Sequence, residues 1–267
     1  MRWAHGTENN LLLICLLSEL AREDLAAAKS LFPVYLKDRQ IVVNPFFDAA
    51  KDGASSRGVD ELLKMEKAEG SIIGAPEFAE DFDFGKYVAE TESVPGFLRA
   101  IRYWAALNPD GVEKALREKV GPRNADHHNA YVEAYQGRVA MVGETEAARW
   151  IWPVLRDLPT VERMVVYPAM LSGYSESNLA LWNVMPDERE KAELVFRMFR
   201  GVLDDRSLEW LNRLGSEGSR AETIGRWIDA RRGSGADADW QGVERMIEGA
   251  DLSDAEKSRL RAKLPEK

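Results

Sequence analysis

Helix-forming segments divided by prolines and glycines occupy most of this chain, so its core has to be assembled chiefly between amphipathic helices. Residues 9–32 combine helix formers with a mixed apolar face and stop before Pro33, which predicts one long and largely buried first helix. The pattern is strongest after Pro186, where 188–203, 207–214 and 219–230 read as helices, the last opened by Ser219 with Glu222 in capping-box spacing. Between 93 and 120 two helices are divided at Asn108-Pro109-Asp110-Gly111, where Asn108 is a good capping residue and Pro109 suits the first helical position.

Short β-branched runs interrupt this pattern. Residues 40–43 precede Asn44-Pro45, 138–142 end at Gly143, 162–167 end at Pro168, and 178–184 form a fourth apolar run. Helices are expected at 124–136 and 144–157, so the middle of the chain reads strand, helix, strand, an order that permits a parallel crossover. Residues 51–58 and 74–85 have loop composition, with a short helix between them. The expected fold class is α+β and helix-dominated, with helical layers around a small sheet of about three or four strands. The expected organisation is a main domain over 1–232, a linker at 233–239 and a short helical appendage over 240–267, whose last helix starts near Ser253 with Glu256 in box spacing. No repeat of solenoid length is present.

Composition narrows the function classes. Hydrophobic residues at 45% and charged residues at 30% are those of a chain that folds. A net charge of -9 and a pI near 5.1 disfavour direct nucleic-acid binding, which needs an excess of Lys and Arg against phosphate. Cys15 is the sole cysteine, which rules out an intramolecular disulfide and a Cys-rich zinc site, and its apolar neighbours predict a buried thiol. The longest apolar run, 11–17, falls far short of the ~20 residues that span a bilayer. No membrane insertion and a cytoplasmic location are therefore expected.

Three places carry residues suited to chemistry or binding. Asp126-His127-His128-Asn129 is a polar cluster at a predicted helix start, in which His128 suits a general base oriented by Asp126, with Tyr131 and Tyr135 lining a pocket. Adjacent helical residues point about 100° apart, so His127 and His128 do not form the i, i+4 pair that a metal needs. Serines 172, 175 and 177 lack the second glycine of a nucleophile elbow. Val142-Gly143-Glu144-Thr145 matches no phosphate loop, and no cofactor is expected.

The second place runs from Asp237 through Asp239 to Glu248, which approaches calcium-loop spacing with a glycine, Gly242, at the sixth position. Gln241 and Glu244 break the pattern, and the segment reads better as a linker running into a helix capped by Asp239, with Glu248 exposed. The third is the face formed by Trp240, Val243, Met246 and Ile247, one of whose members is among eight tryptophans in the chain. That short apolar stripe after a flexible linker suits docking either on the chain's own body or on a partner.

No complete catalytic motif is present, and the sequence is read as that of a non-catalytic protein-binding or adaptor protein, with another protein or a second copy of itself as partner. The alternatives are a hydrolase or transferase with a His/Asp site over 126–135, and a homo-oligomeric structural component whose aromatic residues bury at subunit contacts.

Overall fold

A computed structural model describes residues 10–36, 43–69, 76–121, 127–171, 178–233 and 239–265. Among them 79% are helical and no strand occurs, so the fold is all-α and the expected sheet is not formed. The chain divides into two compact units, 1–154 and 155–267.

The first unit opens with α1 (Asn10–Glu23) and α2 (Leu25–Tyr35). The single helix expected here breaks at Asp24, whose carboxylate accepts from the Ala27 N–H at 2.9 Å, while Pro33 sits inside the last turn of α2. On α1 the i, i+4 series Leu13, Leu17 and Ala21 is buried against Ala28, Phe46 and Ala50. That register turns Cys15 outward, so the thiol expected in the core is exposed.

Helix α3 (Asn44–Ser56) absorbs most of the loop expected at 51–58. Ala49, Ala50, Gly53 and Ala54 give it a small-residue face, and a methyl group at Gly53 would overlap the Arg22 carbonyl of α1. Close helix packing thus overrides the turn composition of Lys51-Asp52-Gly53-Ala54-Ser55-Ser56. The strand expected at 40–43 lies outside the described residues, apart from Val43, which precedes α3.

Next come α4 (Val59–Glu69), α5 (Phe84–Glu90), α6 (Val94–Leu107), α7 (Pro109–Arg117), α8 (His127–Val142) and α9 (Glu144–Arg156). Asn108 caps α7 with its side-chain oxygen 3.0 Å from the Gly111 N–H, and Pro109 is the first helical residue. Helix α8 runs through the strand expected at 138–142; Gly137 lies against the Arg102 carbonyl of α6, leaving no room for a side chain. Phe78, from the segment before α5, packs among Phe82, Phe84, Tyr87 and Tyr103, with ring centroids 4.8 to 5.9 Å away.

The second unit contains α10 (Thr160–Leu171), α11 (Asn178–Val184), α12 (Glu188–Met198), α13 (Asp205–Asn212), α14 (Glu217–Arg232), α15 (Trp240–Gly249) and α16 (Asp254–Arg261). The runs expected as strands at 162–167 and 178–184 are α10 and α11. In α10 Met164, Tyr167 and Leu171 recur at helical spacing, a period of 3.6 that the β-branched Val165 and Val166 obscure. Ser216, rather than Ser219, caps α14, accepting from the Ser219 N–H at 3.1 Å. Ser253 caps α16 as expected.

Helices α15 and α16 belong to this unit rather than standing apart from it: Val243, Met246, Ile247 and Leu260 have no exposed surface. Polar contacts fasten the same segments, with Asn212 donating to the Gly249 carbonyl at 3.3 Å and the Ser253 N–H donating to Glu217 at 2.6 Å. No helix among the described residues is long and apolar enough to cross a membrane.

Candidate functional site

Two constellations of charged residues stand out, one sealed and one open. The sealed one lies in the first unit. Lys51 has no exposed surface, Ser55 is 1% exposed and Glu66 8%. Glu66 joins α4 to α5 and the turn that follows, accepting from the Tyr87 hydroxyl at 2.8 Å and from the Thr91 hydroxyl at 2.9 Å. Thr91 Oγ1 accepts from the Ser93 N–H, and Ser93 caps α6.

Burial pushes the Lys51 ammonium below its ordinary range, against the opposing pull of Glu66 and Asp48. Burial also raises Asp48 and Asp52, the latter in part offset by the Glu77 N–H, which donates to it at 2.7 Å. Tyr87 is held well above its usual range by burial and then by the Glu66 charge. Perturbed titrating groups gathered in this way are often functional. Here, however, Lys51, Glu66 and Tyr87 have almost no surface through which a substrate could reach them, and the network ties α3 to α4 and α5.

The open constellation is a cleft of about 620 Å³ in the second unit. Its floor is α12, which contributes Arg189, Ala192, Glu193 and Arg197. One wall is the start of α10, with Val161, Arg163 and Met164; the other is α14, with Glu222, Thr223 and Arg226.

Two sets of ion pairs hold the walls to the floor. Arg163 donates from Nε to Glu190 at 2.6 Å and from Nη1 to the Arg156 and Leu158 carbonyls at 2.9 and 2.6 Å. The side chains of this Arg163–Glu190 pair are only 18% and 12% exposed, so its geometry is held by packing as well as by charge. On the other side Glu193 accepts from Arg226 at 2.6 Å and from Arg197, and the Arg226 guanidinium lies 4.0 Å from the centre of the Phe196 ring. Burial raises the Glu193 carboxyl, but the hydrogen bonds from Arg197 and Arg226 outweigh it and hold the group below its ordinary value.

Arg189 and Glu222 are exposed and form no ion pair with any described residue. Each precedes a member of the Glu193–Arg226 pair by four residues, one helical turn, on the same two helices. Val161 and Val165, 76% and 47% exposed, form an apolar ridge on α10, of which Val161 lines the cleft.

The residues nominated from sequence are placed elsewhere. Asp126 lies outside the described residues, and His127 and His128 are half-buried in the first turn of α8. The Tyr131 hydroxyl donates to the Leu116 carbonyl at 3.2 Å and ties α8 to the end of α7. Tyr135 is 1% exposed, and burial, followed by the Glu144 charge, pushes its phenol up to about 12. Both phenols are buried, and the pairing of His128 with Asp126 expected over 126–135 lies outside the described residues.

Asp237 also lies outside the described residues. Asp239 caps α15, accepting from the Gly242 N–H at 2.8 Å, while Glu248 pairs with Arg261 at 2.7 and 2.8 Å. Nine residues of helix separate Asp239 from Glu248, about 13 Å of rise, too far for one ion. No cluster of potential metal ligands occurs among the described residues. Trp240 is half-buried, and Val243, Met246 and Ile247 face the unit's own core, so the stripe nominated for a partner is covered within the chain.

The cleft itself was not legible as a site. Arg189, Glu193 and Arg197 are spaced i, i+4, i+8, as are Glu222 and Arg226 at i, i+4, which reads equally well as a solvated helix face. Reading 162–167 as a strand also hid the role of Arg163.

Compared with known proteins, the chain matches no family profile, no curated protein sequence and no solved structure.

Proposed function

We propose that this is a cytoplasmic, non-catalytic protein-binding protein whose acceptor surface is the cleft along α12. The observation that carries this reading is an open 620 Å³ cleft whose charged walls are pinned by Arg163–Glu190 and Glu193–Arg226, while Arg189 and Glu222 at its margin lack ion-pair partners among the described residues. A preformed surface with spare charges and an exposed apolar ridge is what a protein partner engages at little reorganisation cost. The lining carries four arginines and four carboxylates, a balance that disfavours a polyanion and suits a partner of mixed charge.

The test is a photo-crosslinking amino acid placed at Val161 in the protein within its own cells, with the same group at Val202, exposed and outside the cleft lining, as control. One defined polypeptide joined from Val161 and absent from Val202 is the expected result. Equal products from both positions, or none from Val161, would remove the cleft as an acceptor.

A further inference from the structure

The geometry points to a specific occupant for this cleft: an amphipathic helix of a partner protein, laid along α12 with its apolar stripe on Val161 and, just beyond the lining, Val165, an acidic side chain on Arg189 and a basic one on Glu222. This rests on the protein-binding reading and names the chemistry of the partner.

The first argument concerns the backbone. An extended peptide gains affinity by adding to an open sheet edge, and among the described residues there is no strand to offer one. Apart from the first turn of α10 at Thr160 and Val161, the cleft is lined by helices whose main-chain groups are already paired, internally along α12 and α14 and through the Asp187 cap at the Arg189 and Glu190 N–H groups. An extended occupant would bury unsatisfied N–H and C=O groups against them, whereas a helix satisfies its own.

The second argument is size. From Arg189 to Arg197 the floor runs eight residues, about 12 Å of helix rise. Two to three turns of helix match that length, so the floor accommodates a short helical segment.

The third argument is charge. Four residues beyond Arg189 and Glu222, the same two helices carry Glu193 and Arg226, paired at 2.6 Å, with Arg197 also donating to Glu193. Arg189 and Glu222 present one charge of each sign at the margin, so a complementary helix carries one acid and one base beside its apolar stripe. Val161 in the lining and exposed Val165 one turn beyond it, spaced i, i+4, supply the ridge against which the stripe at i, i+3 or i+4, and i+7 packs.

The test is selection of a displayed library of 16-residue peptides on the full-length protein, with counter-selection on Val161→Asp. Val161 is exposed and stands at the start of α10, where an acidic residue is compatible with the helix dipole, so this variant keeps its fold; its melting curve verifies that. The expected survivors share the apolar i, i+3 or i+4, i+7 pattern, become helical on binding, bind Arg189→Glu at least tenfold more weakly, and recover affinity for that variant when their acidic residue is replaced by Lys. Survivors that are extended or proline-rich, survivors indifferent to Arg189→Glu, or the absence of any survivor sensitive to Val161→Asp would each overturn the helix proposal. The crosslink from Val161 separates the two ideas: a crosslinked partner alongside a failed selection leaves the protein-binding reading standing and removes only the helical occupant.

Discussion

Lys51 illustrates how a residue of loop-like sequence context becomes central once buried. Its ammonium group has no exposed surface and is opposed by Glu66 and Asp48. Lys51→Met keeps most of the volume but leaves those carboxylates without their counter-charge, and is expected to cost about 2–4 kcal/mol in urea unfolding. Lys51→Met combined with Glu66→Gln is expected to lose less than the sum of the single changes. Because burial holds Lys51 below 10.5, the native state releases this proton at a lower pH than the unfolded chain. Its contribution to stability therefore rises with pH from the depressed value up to about 10.5, and Lys51→Met should abolish that rise. Glu193 behaves in the opposite sense. Its carboxyl titrates below 4.5 in the folded protein, so its stabilisation is complete above 4.5 and is lost as pH falls through the depressed value. Urea midpoints of Glu193→Gln and the parent should accordingly differ above pH 4.5 and converge as the pH falls below it.

At the scale of elements, close approach decides where helices run. Gly53 and Gly137 both sit against a neighbouring helix's backbone carbonyl, of Arg22 and Arg102 respectively. Alanine is the better helix former by about 1 kcal/mol, so propensity alone makes either Gly→Ala change stabilising. The structure reverses the sign: a carbonyl held in its own helix cannot yield to a methyl group, and each change is expected to destabilise by about 1–3 kcal/mol in thermal or urea unfolding. A neutral or stabilising result at either site would mean the helices can separate without loss. The same contacts explain the misread elements. A loop was expected at 51–58 because Gly and Ser mark turns, yet here small side chains serve helix contact; a strand was expected at 138–142, yet α8 continues through it beyond Gly137. The cap at Asn108 was legible because capping is local, requiring only one side chain and the N–H three residues on.

At the scale of the molecule, Val243, Met246, Ile247, Ala250 and Leu260 of the C-terminal helices are buried within the second unit. Ile247→Ala removes a fully buried side chain and is expected to cost about 2–4 kcal/mol. Deleting 240–267 should leave apolar surface uncovered, read out as binding of a hydrophobic dye and a lost or broadened unfolding transition. An unchanged melt would return this segment to the status of an appendage. The stripe at Trp240, Val243, Met246 and Ile247 was correctly visible as amphipathic, but amphipathicity states that a face will be covered and not by what.

Local rules in the sequence therefore determined the helical majority, the cap at Asn108, the helix start at Ser253 and the absence of a membrane-length apolar run among the described helices. Each depends on residues within a turn or two of one another. Tertiary structure decided that the runs at 138–142, 162–167 and 178–184 are helical, that Cys15 faces outward, that Lys51 is sealed, and that Arg163, Glu190, Glu193 and Arg226 converge on one cleft. Those outcomes depend on which faces meet across the chain, as with Arg226 and Glu193, 33 residues apart, and a helical charge pattern reads the same whether it borders water or a binding groove.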